Sequence, residues 1–106
     1  MSSTRHYNIK ELTKENKVLI TEHAWAVMDK RGISPKEVTT VILTGEIIEE
    51  YEDDKPCPSF LMLGFIGSRP IHVLAALCEQ HVRIITTYEP ETAKWTNFRL
   101  RKEERR

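Results

Sequence analysis

Arg69, His72, Tyr88 and Glu89 are the residues of this chain whose types and spacing best suit chemistry. An imidazole and a phenol together can take up and return protons, and a nearby guanidinium can hold charge that develops on a phosphate. The four lie in and beside two apolar runs, "IHVLAALC" and "VRIITTY", that flank "EQH". If "EQH" is a three-residue loop that pairs Cys78 with Val82, counting back sets His72 opposite Tyr88 on one face of a strand pair. A slip of one residue sets His72 against Glu89 instead. Either neighbour would fix the tautomer of the ring. The structural alternative is a half-buried histidine hydrogen-bonded to a strand neighbour, with Arg69 in an exposed turn.

Other groups are weaker candidates. In "ITEHAWAVMDKRG" the helical period puts Arg31 on the apolar face and His23 on its edge. Arg31 then either reaches a site or snorkels to cap the helix C-terminus. The acids of "YEDDK" suit a solvated loop, because Lys55 balances one charge and no further ligand spacing follows. Cys57 would need a base such as His72 to act as a thiolate, and nothing in the sequence brings them together. Two scattered cysteines make no disulfide framework. There is no phosphate loop, dinucleotide glycine pattern or zinc-ligand pair, and the histidines lack helical metal spacing, so no metal or cofactor is expected.

The elements that must position these residues are well punctuated. Thr21 and Gly32 bracket one helix, with Ile20 and Trp25 as a hydrophobic staple and Ala24, Val27 and Met28 as its buried stripe. Ser34, Pro35 and Glu37 open a second, stapled by Ile33 and Val38, and Gly45 stops it. Asn8 is set to cap a short helix carrying Ile9 and Leu12. The period then changes to that of strands: "EIIEEY", a proline-bearing loop, "FLMLGFI", the turn "GSRP", and the two runs above. "FLMLGFI" is apolar on both alternating sets, which predicts a central strand covered on both faces. The expected fold is α+β: two helices on a four-stranded antiparallel meander, with a helical or irregular tail. Residues 1–17 form a polar extension, 18–101 one domain and 102–106 a charged tail.

The totals narrow the function. The chain has 106 residues, 40% hydrophobic and 30% charged, with no net charge. That suits one globular domain with no membrane span and no secretion signal, placed in the cytoplasm. A non-specific nucleic-acid binder usually carries a basic excess, so any basic patch here must be local. "FRLRKEERR" is one such stretch, diluted by glutamates.

Three longer pieces, "HAWAVMDKRGI", "VILTGEIIEEYEDDKPCPS" and "GSRPIHV…RIITTYEPETAKW", resemble an uncharacterised bacterial domain-of-unknown-function family grouped with RelE/ParE/HigB/MqsR-like toxins of type II toxin-antitoxin systems. The resemblance runs from residue 19 to residue 101. It implies a RelE-like fold and a metal-independent ribonuclease held inactive by a small co-encoded antitoxin of zinc-ribbon type. Carried over by motif, it marks His23, Arg31, Arg69, His72, Tyr88 and Lys94 as site residues. Cys57 departs from the aromatic residue expected there, and the zero net charge departs from the basic character of such ribonucleases. The alternative is a non-catalytic interaction module of the same fold, whose exposed strand edge accepts a partner segment.

Overall fold

A computed structural model describes residues 2–102. Three helices, α1 (Ser2–Lys14), α2 (Glu22–Arg31) and α3 (Pro35–Thr44), pack on one face of a five-stranded sheet. Its strands are β1 (Val18–Ile20), β2 (Glu46–Tyr51), β3 (Ser59–Ile66), β4 (Arg69–Leu77) and β5 (Val82–Tyr88), in the order β1-β5-β4-β3-β2. The meander from β2 to β5 is antiparallel as expected, and β1 adds a fifth, parallel edge strand beside β5. A small hairpin, β6 (Trp95–Thr96) and β7 (Leu100–Arg101), replaces the helical or irregular tail that was expected.

Local chemistry accounts for the helices. The Thr21 hydroxyl accepts from the Ala24 amide at 3.0 Å, and Gly32 closes α2 in the left-handed region at φ 67°. Ser34 and Glu37 form a reciprocal capping box on α3, with Pro35 in its first turn. Gly45 ends α3 as expected, its amide donating to the Val41 carbonyl, and does so outside the left-handed region. Its φ is −89°, and a Cβ there would lie 2.3 Å from the Leu63 carbonyl oxygen. The glycine is needed because β3 passes close to the end of α3. The staple also fails at Trp25, which is half exposed. Residues 2–14, read as a polar extension, form α1. Asn8 lies inside that helix rather than capping it, and Ile9 is fully buried in the core. Apart from Lys102, the charged tail lies outside the described residues.

β3 is buried on both faces, as its doubly apolar pattern predicts. Phe60 and Met62 meet Met28, Val38, Val41 and Ile42 in the core under the helices. Burying each such side chain contributes about 1.5–3 kcal/mol. Leu61 and Leu63 alternate to the other face, where they are also buried. His72 pairs with Leu63 across the strands and so stands on that second face, away from the helices. The chain after Tyr88 folds back to cover it there. Cys57 and Cys78 form a disulfide, contrary to the reading of two unconnected cysteines. The loop after β2 and the turn after β4 bring their Cα atoms to 5.2 Å.

Candidate functional site

His72 does pair with Tyr88, by a route the sequence count did not anticipate. Near the turn the pairing is Leu77 with Val82, one residue away from the assumed Cys78 with Val82. A bulge between Leu74 and Ala75 on β4, opposite Thr86 and Ile84 on β5, absorbs the difference and restores His72 to Tyr88. Bulges of this kind re-aim side chains beside functional sites.

The ring of His72 is fully buried. Its Nε2 lies 2.7 Å from the carbonyl oxygen of Phe98, which can only accept, so Nε2 carries the proton. Nδ1 is then the acceptor for the Tyr88 hydroxyl, at 3.3 Å. Trp95 stands edge-on to the imidazole at 4.6 Å between centroids, and Tyr88 at 5.3 Å. Burial lowers the pKa of His72, partly opposed by the Phe98 hydrogen bond and the Glu49 carboxylate. Burial likewise raises that of Tyr88, which keeps the phenol protonated. His72 is thus a satisfied core histidine that holds one end of the Tyr88 hydroxyl.

Tyr88 opens on a cavity of about 570 Å³ whose basic residues are Arg31, Lys94 and Arg101 and whose acids are Glu89 and Glu91. Arg31 approaches from the end of α2, and its Nη1 donates to the Thr87 carbonyl at 2.8 Å. Among the described residues it forms no ion pair with a carboxylate. Lys94 faces Glu91 at 3.7 Å, with both side chains mostly in solvent, a weak link. Arg101 lies over the Trp95 ring at 4.7 Å and is held by both oxygens of Glu49. The hairpin turn puts Asn97 and Phe98 at φ 52° and 63°. Asparagine tolerates that region and phenylalanine rarely does. The bond from His72 to the Phe98 carbonyl and the packing of Phe98 on Phe65 hold it there.

Of the six residues singled out from sequence, Arg31, Tyr88 and Lys94 line this cavity, and His72 lies directly behind Tyr88. Arg69 does not line it. Its guanidinium donates to the carbonyls of Arg31 and Gly32 at the end of α2 and pairs with Glu37 and Glu89. It fastens the elements that carry Arg31 and Glu89. His23 lines a separate groove with Arg83 and Cys57. Sequence reasoning missed Trp95, Arg101 and Glu49. The available signal was a pair of aromatics, Trp95 and Phe98, in an otherwise polar tail. Among the described residues no cluster of three His, Cys, Asp or Glu side chains is placed to hold a metal ion, and no helix is long and apolar enough to cross a membrane.

A family model described as a domain of unknown function (DUF4258) matches residues 20–89. The match takes in His23, Arg31, Arg69, His72 and Tyr88 and stops short of Lys94, Trp95 and Arg101. No curated protein and no solved structure matches the chain.

Proposed function

The chain belongs to the DUF4258 family, and on that premise we propose that it is a toxin-like ribonuclease of RelE-like fold, whose Tyr88 pocket takes an RNA phosphodiester and cleaves it without a metal. The observation that carries this reading is a single juxtaposition. A hydroxyl backed by a neutral imidazole acceptor opens beside Arg31, a cation that forms no ion pair among the described residues. The RNA 2′-hydroxyl attacks its own phosphorus. Its proton passes to the Tyr88 oxygen as the phenolic proton passes to Nδ1 of His72, so no free tyrosinate forms. Arg31 and Lys94 stabilise the charge gathering on the phosphate oxygens. The 5′-oxygen leaves with a proton from solvent. DNA lacks the nucleophile and survives. A local pocket of this kind is compatible with zero net charge over the chain. In the cytoplasm a small co-encoded partner of zinc-ribbon type would cover the pocket and hold the activity in check.

A second reading rests on the edge strand β1, which among the described residues pairs only with β5 and leaves Leu19 exposed. A non-catalytic module would accept a partner strand there. Single-turnover cleavage of a mixed-sequence RNA separates the two. The wild type should cleave, EDTA should change nothing, and Tyr88→Phe should slow cleavage by about a hundredfold or more. No cleavage by the wild type would leave only the interaction module.

A further inference from the structure

The Cys57–Cys78 disulfide separates two surfaces of opposite charge. Cys57 lines a groove of about 440 Å³ with Lys55, Arg83 and His23 on its walls and Leu74 and Ile85 beneath. Among the described residues neither Lys55 nor Arg83 forms an ion pair. The one acid there, Asp54, accepts a hydrogen bond from the Ser59 hydroxyl at 2.6 Å. Cys78 lines a different cavity, beside Glu79 and Glu11. Glu11 pairs with Lys14, and Glu79 forms no ion pair among the described residues. Both cysteines are only partly buried, and each lines one of these two openings.

Thiol–disulfide exchange is directional, and which sulfur is attacked depends on access and on the local field. We propose that this disulfide is an exchange site for small anionic thiols, attacked at Cys57 from the cationic groove. The incoming thiolate forms a bond to Cys57 Sγ, the Cys57–Cys78 bond breaks, and its electron pair leaves on Cys78 Sγ, which takes a proton from water. A second thiolate attacks the ligand sulfur of the mixed disulfide and releases Cys57 as a thiolate. The ligand is oxidised by two electrons to its own disulfide, and the protein is reduced by two. The exchange unties the loop between β2 and β3 from the turn between β4 and β5.

The test uses the oxidised full chain at low salt. Reduction by 2-mercaptoethanesulfonate and by cysteamine is compared at equal thiolate concentration. With each rate divided by that thiolate's rate on an uncharged small disulfide, which removes the difference in intrinsic nucleophilicity, the anionic thiol should react faster by at least about threefold. In Arg83→Glu that preference should disappear or reverse. Glutathione adducts, quenched with an alkylating reagent and mapped by mass spectrometry, should fall on Cys57. Equal normalised rates for the two thiols in the wild type, adducts on Cys78, or a disulfide that resists both thiols in the folded protein would each overturn the proposal. The wild-type measurements decide it even if Arg83→Glu does not fold.

Discussion

His72→Ala should unfold the second face of the sheet before it tells anything about chemistry. The ring is fully buried between Tyr88 and Trp95. Removing a large buried ring leaves a cavity and forfeits its packing, a loss of about 3 kcal/mol. The Phe98 carbonyl also loses its donor, which adds about 1 kcal/mol, since the turn that carries it is already in an unfavourable conformation. The total of about 4 kcal/mol translates to a fall in Tm on the order of 15–30 °C for a domain of this size. Thermal melts followed by circular dichroism measure it directly. Near-ultraviolet signal from Trp95 should be lost along with the hairpin. A Tm within about 4 °C of wild type, equivalent to about 1 kcal/mol, would refute the reasoning and mean that the ring does not wedge the hairpin in place. Any drop in RNA cleavage by this variant is then read only at temperatures where it remains folded. For that reason Tyr88→Phe, which removes one hydroxyl and keeps the ring, is the cleaner probe of mechanism.

Two further outcomes test the fold. Because burial lowers the folded-state pKa of His72 below its ordinary value of 6.5, the unfolded chain takes up its proton first as pH falls. Stability is therefore complete above about pH 6.5 and declines below it, toward the lowered folded value. His6, also lowered by burial and by Lys10, contributes in the same direction, so the slope owed to His72 is the part of a pH series of melts that His72→Phe abolishes. An unchanged slope in that variant would contradict the assignment. Gly45→Ala drives a methyl group to 2.3 Å from the Leu63 carbonyl oxygen and 2.5 Å from that of Val41. It should cost at least about 2 kcal/mol, and chemical denaturation showing less than about 0.5 kcal/mol would mean that β3 can move away from α3.

What the sequence disclosed follows the range of the physics involved. Helix caps are decided within four residues, so Thr21, Ser34, Glu37 and Gly32 were legible. The doubly apolar pattern of β3 likewise exposed its central place. Contacts between distant segments left no such trace. The role of Gly45 depends on Leu63, and the role of Arg69 on the end of α2. The pairing of His72 with Tyr88 came from a count that ignored a bulge and misplaced the turn by one residue, two errors that cancelled. At the site, Arg31, Tyr88 and Lys94 share a cavity because three elements converge. Nothing local marks Arg101 and Glu49 as its remaining supports. The disulfide was missed for the same reason, since a spacing of 21 residues says nothing about where two loops end up.

The parallel pairing of β1 with β5 bears on the order in which the chain comes together. Thr21 donates its hydroxyl to the carbonyl of Ile84, 63 positions later, whereas each hairpin of the meander closes through a neighbouring turn. Loops that long are closed late, because their entropy must be met before the contact returns anything. During synthesis β1 leaves the ribosome with its sheet partner still unmade. β1 must wait, whereas α1 packs mainly on α3 and can meet it as soon as that helix is made. The strand that follows the segment read at first sight as a polar extension is in this sense the last piece of the sheet to find its place.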